Sequence, residues 1–300
     1  MQTFLPHADF ARSAEVLDPR RLGKQRVETL QVLRSLELPD YGWGNHPAVR
    51  MWRGRTAALV VYGLTCVDVW TRPGRADTTR SMVAEFAPEV DGLTQADLDV
   101  AGLLPSWLGH RPLHLSHRSA LLRKDPATYR PLFGADDPDD LPYVWPDPDP
   151  LPPPAPPVGR PLWVVRAPGA PAVQYFLDAG RIALDTGSGI DVDVRGRREG
   201  ADLRDLLAEV APGRRPGKPL RQLTSFVEEV RPGDEVALLL PDGDALTLGT
   251  VTGEYAFDPH DPFAPHGRSV RWENTVPRGA VERPALLQDP RALFRVTRRP

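Results

Sequence analysis

Four polar residues near the start of the chain are spaced to act together: Arg21, Lys24, Glu28 and Gln31 stand at i, i+3, i+7 and i+10. On a 3.6-residue helix they share one face, roughly opposite Leu30 and Leu33. That face sets a carboxylate, a potential general acid or base, among cations. The plainer reading is a solvated surface with a Lys24–Glu28 pair in the less favourable lysine-first order, worth roughly a few tenths of a kcal/mol.

The elements that would carry these residues are helical. Asp18 can cap and Pro19 can enter the first turn of a helix whose Leu22, Leu30, Leu33 and Leu36 fall on one side. Asn45 or His46, ahead of Pro47, opens a long helical segment through Trp70 that Gly54 and Gly63 can bend and Gly74 ends. Thr94 begins a short helix. Ser116 to Lys124 and Pro126 to Leu132 read as two more, with Asp125-Pro126 as a start signal. Nothing in this half alternates like a strand.

Residues 146–161, PDPDPLPPPAPPVGRP, hold nine prolines in sixteen positions, a composition of extended spacers. At 300 residues, 41% hydrophobic and 26% charged, the chain suits two globular domains: 1–146, a linker over 147–160, and 161–300. After the linker the pattern turns to short β runs: Leu162–Arg166, Arg181–Leu184, Glu235–Leu240, Leu246–Val251 and Ser269–Trp272. Helical stretches interleave them, so this half reads as α+β, a small barrel with covering helices.

A net charge of −3 hides segregation. Leu17 to Arg55 has eight Lys or Arg against four acids, whereas Asp136 to Asp149 has six aspartates and no base. The single cysteine, Cys66, lies in an apolar run, which excludes a disulfide framework and reads as a buried spectator thiol in a reducing compartment. No leader or membrane-spanning stretch is evident, so the expected location is cytoplasmic and no membrane partner is expected. His110, His114 and His117 suggest a metal, but Pro112 is expected to interrupt the helix that would align the first two and no carboxylate completes a zinc motif. No metal and no cofactor are expected; phosphate contact or surface roles are the reading for these histidines.

The segment LDPRRLGKQRVETLQVL, Leu17 to Leu33, resembles the first helix of the pyrimidine dimer DNA glycosylase family, with Leu22 and Glu28 at that family's leucine-to-glutamate spacing. A second stretch, SHRSALLRKDPATYRPLFG from Ser116 to Gly134, is similar to its C-terminal run, and NHPAVRMWRG from Asn45 fits a bacterial branch. The resemblance implies an all-α domain in which a terminal α-amine attacks deoxyribose C1′ and Glu28 assists departure of the base and the following elimination. An α-amine near pKa ~7.7–8 has a useful neutral fraction where lysine near ~10.4 does not. Gln2 is too bulky for methionine removal, where phage members expose a small residue. Two amines therefore stay open: Met1, if the chain start folds back beside Glu28, and Lys24. The resemblance further assigns DNA contacts to Arg21, Arg26, Gln31, Tyr41, Trp43, His46, Arg50, Trp52, His117, Arg118, Arg123 and Lys124. Of these, Tyr41, Trp43 and Trp52 would support an unstacked base, and His46 equally reads as a helix cap.

The strands at 162–166 and 181–184, the helix QLTSF from Gln222, the turn VRPGD from Val230, GTVTGEY from Gly249 and SVRW from Ser269 look like the PUA-like, EVE-related domains of modification-dependent restriction proteins. That resemblance implies a nucleic-acid reader with Trp163, Tyr255, Phe257 and Trp272 as aromatics for a modified base. Asp185-Thr186 departs from a Gly-Trp common among relatives. The expected whole is a DNA glycosylase, with AP-lyase activity as an added step, acting on double-stranded DNA with a damaged or modified base in repair or defence. RNA is a second ligand class for the C-terminal domain. The competing reading is a non-catalytic reader of modified bases in which Glu28 only pairs with Lys24. A nuclease is disfavoured by the lack of a carboxylate cluster.

Overall fold

The computed structural model describes residues 1–150, 158–184, 190–195, 200–210, 212–213 and 217–300. The chain divides into two compact units, Met1–Ala155 and Pro156–Pro300.

Among its described residues the first unit is helical. Helix α1 (Phe10–Glu15) is capped by Asp9, and α2 (Pro19–Glu37) by Asp18, which accepts from the Arg20 and Arg21 amides. The single long segment expected from 46 to 70 does not form. His46 instead caps a one-turn α3 (Pro47–Arg50), Gly54 turns the chain at φ +74°, and α4 (Thr56–Thr71) starts afresh. Helix α4 is apolar all round because it is the central helix, with Ala58 through Leu64, Cys66 and Val67 buried. Each fully buried Val or Leu contributes roughly 1.5–3 kcal/mol. Gly63 does not break α4; it lets α2 approach, since a Cβ there would stand 2.8 Å from Thr29 Cγ2. Burial pushes the Cys66 thiol up to about 12, leaving it inert.

The unit is completed by α5 (Arg80–Ala84), α6 (Gln95–Val100) with a Thr94–Asp97 capping box, α7 (Arg111–Lys124) and α8 (Pro126–Tyr129). Pro112 stands between His110, left at the N-cap position, and the helix that carries the other two histidines. It occupies the first turn of α7, where its missing N–H costs nothing, so His114 and His117 ride one helix. Beyond α8 the chain returns along α7: Ser119 Oγ accepts the Leu141 amide and Ser116 Oγ the Val144 amide. Asp149, inside the expected spacer, is buried and bound to Arg55 and Ser106.

The second unit holds β1 (Arg160–Val165), α9 (Ala170–Asp178), β2 (Arg181–Leu184), α10 (Gly200–Val210), α11 (Lys218–Glu228), β3 (Glu235–Leu239), β4 (Ala245–Val251), β5 (Ala256–Phe257), β6 (His266–Pro277) and β7 (Leu293–Arg298). They form one mixed sheet in the order β2-β6-β4-β3-β1-β7, with β5 on β6. Among the described residues only β1 and β3 pair in parallel. Among the described residues no pairing joins β7 to β2, so the expected barrel is an open half. Both faces of β1 are buried: Trp163 and Val165 pack with Phe176, Leu223 and Phe226, while Leu162 and Val164 pack with Leu246, Leu248 and Phe294. Asp185 and Thr186 lie outside the described residues.

Candidate active site

The first seven residues form no regular element, yet residues 2–6 are buried. Buried irregular backbone must find partners, and here side chains of three helices supply them. Gln25 Nε2 donates to the Gln2 carbonyl at 2.7 Å and Gln25 Oε1 accepts the Phe4 amide at 3.0 Å. Tyr62 donates to the Phe4 carbonyl, His117 Nδ1 accepts the Leu5 amide, and Arg118 Nε donates to the Pro6 carbonyl. The Gly109 amide donates to His114 Nε2, so His114 carries its proton on Nδ1, where it meets the Leu5 carbonyl at 2.8 Å. Trp52 Nε1 reaches Thr3 Oγ1 at 3.0 Å.

This scaffold ends at the Met1 amine, 3.4 Å from Glu28 Oε1; Lys24 Nζ stands at the same distance. The two residues differ in setting: the Lys24 side chain is 71% exposed, whereas the Met1 side chain is buried at 5%. Glu28 is buried, so the face predicted from helical spacing is not a solvated surface. All three line a cleft of ≈ 570 Å³ whose walls add Phe4, His46, Tyr143 and Trp145, with Arg20, Arg21 and Lys124 around it. His46 Nδ1 accepts the Ala48 amide, leaving the neutral ring's proton on Nε2. Burial, and then the Met1 ammonium, lower its pKa, partly opposed by Glu28.

The predicted DNA contacts separate into two groups. Arg21, His46 and Lys124 meet at the cleft, beside Lys24. Trp43 is 63% exposed, held at φ +59° with its ring 5.9 Å from that of His46; Arg50 is exposed and Tyr41 and Gln31 are half-buried. The others are structural. Trp52 is fully buried against Trp107 and Tyr62. Arg26 is buried in an ion pair with Asp77, its guanidinium over the Trp70 ring. His117 and Arg118 hold the chain start, and Arg123 fastens the tail through the Asp139 and Leu141 carbonyls. Phe4, Gln25, Tyr143 and Trp145 were not anticipated. The last two sit in a Pro- and Asp-rich tail without periodicity, where their types alone were the available signal.

In the second unit the four predicted aromatics do not converge on one cavity. Trp163 is core, with Nε1 on Asp234, and Trp272 donates to the Phe176 carbonyl. Phe257 tilts against His266. Tyr255 alone of the four lines a cleft of ≈ 840 Å³, beside Arg195, Glu228, Arg231, Glu254 and Arg268. Among the described residues no group of His, Cys, Asp or Glu is placed to hold a metal ion, and no helix is long and apolar enough to cross a membrane.

The model of the pyrimidine dimer DNA glycosylase family matches residues 1–82, and that of a domain of unknown function matches residues 164–286. No curated protein and no solved structure matches the chain. The first unit is therefore similar to pyrimidine dimer DNA glycosylases over its first 82 residues. The matched span includes Met1, Lys24, Glu28 and His46 but not Lys124, Tyr143 or Trp145.

Proposed function

We propose that the first unit is a DNA glycosylase in which the Met1 α-amine is the nucleophile and Glu28 its proton acceptor. The observation that carries this reading is a buried carboxylate 3.4 Å from the α-amine, in a cation-rimmed cleft to which the glycosylase-like span contributes Met1, Lys24, Glu28 and His46. Glu28 takes a proton from the ammonium, and the freed nitrogen attacks deoxyribose C1′. The bond from C1′ to the base breaks with its electron pair, and the departing base takes the proton that Glu28 holds. Glu28 then removes the second proton from the new C1′-bound ammonium and passes it to O4′ as the C1′–O4′ bond opens and the freed nitrogen lone pair closes a C1′=N iminium. Abstraction of a 2′ proton from that iminium would expel the 3′ phosphate, the AP-lyase step. Lys24 is the weaker candidate because its long side chain is largely exposed, whereas the chain start is fastened by buried hydrogen bonds. Tyr143, Trp145 and His46 offer faces for a nucleotide rotated from the duplex, and Arg20, Arg21 and Lys124 neutralise its phosphates.

The second unit is proposed to bind nucleic acid and select the modified or damaged base, its arginine-lined cleft at Tyr255 being the feature that suits a polyanion. DNA is the expected ligand and RNA the alternative. Together the units suit repair or defence against modified foreign DNA.

Borohydride trapping on duplexes carrying abasic sites, pyrimidine dimers or modified cytosines tests the reading. A covalent adduct is expected that disappears in Glu28→Gln and on extending the chain ahead of Met1, but persists in Lys24→Ala. Loss in Lys24→Ala with survival of the extended chain would move the amine to Lys24. Intact binding with neither adduct nor released base would sink the enzyme reading in favour of a reader.

A further inference from the structure

The buried amide of Gln25 takes no part in the chemistry just described, yet it holds the backbone nearest the reacting nitrogen. Gln25 is 1% exposed and lies three residues before Glu28 on α2, so both side chains leave the same face one turn apart. Its amide is engaged at both ends, donating to the Gln2 carbonyl and accepting from the Phe4 amide, and so brackets Thr3. Within that bracket Trp52 meets the Thr3 hydroxyl and the Gln2 side chain accepts the Thr3 amide, and the other anchors act farther along: Tyr62 on the Phe4 carbonyl, His117 and His114 on Leu5, Arg118 on Pro6. From the Gln2 carbonyl, less than two residues of chain lead back to the Met1 nitrogen.

We propose, resting on the glycosylase reading, that Gln25 is a positioning residue that ties the Met1 amine to the helical turn carrying Glu28. The residue type follows from the two groups it meets. One buried acceptor and one buried donor require a side chain offering both, and an amide does so without charge. A carboxylate would satisfy the Phe4 amide but set a second acceptor against the Gln2 carbonyl. Methionine would fill the volume and satisfy neither, leaving two buried backbone groups unpaired. Amine and carboxylate are thereby held by one rigid element, and drift of the helix relative to the rest of the unit leaves their separation unchanged. A reacting group displaced by about 1 Å can lose on the order of 100-fold in rate.

The test uses the full chain with Gln25→Met and Gln25→Glu. Both are expected to trap abasic duplex roughly 10- to 100-fold more slowly than the parent, with Kd for that duplex within about twofold. Reductive methylation of the Met1 amine, followed by mass spectrometry across pH, should be faster in both variants with a displaced pH profile. In the parent chain the Gln25 side-chain amide hydrogens should exchange slowly, a measurement that needs no variant. Wild-type rates of trapping and methylation in folded variants, or rapid exchange of those hydrogens in the parent, would overturn the proposal. If the parent never traps DNA but Gln25 still governs methylation of Met1, the clamp stands and the glycosylase reading falls. If the parent traps DNA and Gln25 governs neither rate, the reverse holds.

Discussion

His117 accepts the amide hydrogen of Leu5 at 2.8 Å across 112 residues of sequence. To accept on Nδ1 the ring must be neutral, with its proton on Nε2. Protonation would set an N–H against an N–H in a fully buried position, so the tie between α7 and the chain start depends on charge state. Burial, with a smaller contribution from His114, pushes the His117 pKa down from 6.5 to about 3.

The sign of the pH effect follows. Between about 3 and 6.5 the unfolded chain binds a proton at this ring and the folded chain does not. Stability from His117 is therefore complete above pH 6.5 and is lost as pH falls toward about 3. Near pH 4.5 the loss should be roughly 3 kcal/mol for this group alone. Thermal melting of the full chain from pH 7.5 downward checks it. His117→Asn, which keeps an acceptor near Nδ1 but does not titrate, should flatten the acid limb; an unchanged limb would remove the assignment.

The helical half was readable where local chemistry decides: Asp18-Pro19, His46-Pro47, Thr94 and Asp125-Pro126 each start a helix as side-chain capping predicts. Glu28 was readable from its spacing and its resemblance, but its burial was not. A helical wheel cannot anticipate that an irregular chain start, rather than water, covers the polar face of α2. For the same reason His117, Arg118 and Trp52 looked like DNA contacts. Their types suit phosphates and bases as well as a buried chain start, and only contacts spanning 49 to 112 residues distinguish the two. In the second unit, alternation located strands but not cavities: Trp163 and Trp272 have the composition of a base pocket and the hydrogen bonds of a core.

The two tryptophans that separate core from cleft should respond differently to truncation. Trp145→Ala is expected to weaken binding to lesion-bearing duplex by about 1–3 kcal/mol, the scale of one lost base stack, with little change in melting temperature. Trp52→Ala removes a fully buried side chain and the Thr3 contact, and should cost ~3–5 kcal/mol of stability. Binding isotherms and denaturant titrations on both variants decide the matter; unaltered DNA affinity in Trp145→Ala would remove that ring from the nucleotide site.

Tyr255 belongs to a relay in the second unit. His266 Nε2 lies 2.9 Å from the Ile190 carbonyl and so carries the proton, which leaves Nδ1 to accept the Tyr255 hydroxyl at 2.8 Å. Burial pushes the phenol up to about 12. Above pH 10 the unfolded chain ionises first, so this stability is lost as pH rises through about 12. Tyr255→Phe strips His266 of that donor in a buried place and should cost about 1–3 kcal/mol. A nucleic-acid affinity that falls much further than stability would assign the hydroxyl to the ligand instead.

Arg26 and Lys124 were expected to meet phosphate alike, and the structure gives them opposite surroundings. Arg26 is 9% exposed and spent on Asp77, whose carboxylate also takes the Thr79 and Arg80 amides. Removing the guanidinium leaves that carboxylate buried without its countercharge, a loss of ~3–5 kcal/mol in comparable pairs. Lys124 is exposed at the rim of the Glu28 cleft, where its ammonium can release a counterion from DNA. Lys124→Ala should thus leave the fold intact, weaken binding across sequences alike, and reduce the slope of log affinity against log salt by about 1. Arg26→Ala should lower the melting temperature and, at temperatures where it remains folded, leave that slope unchanged. Salt titrations of both variants against one duplex make the comparison, and a reduced slope in folded Arg26→Ala would return that residue to the DNA interface.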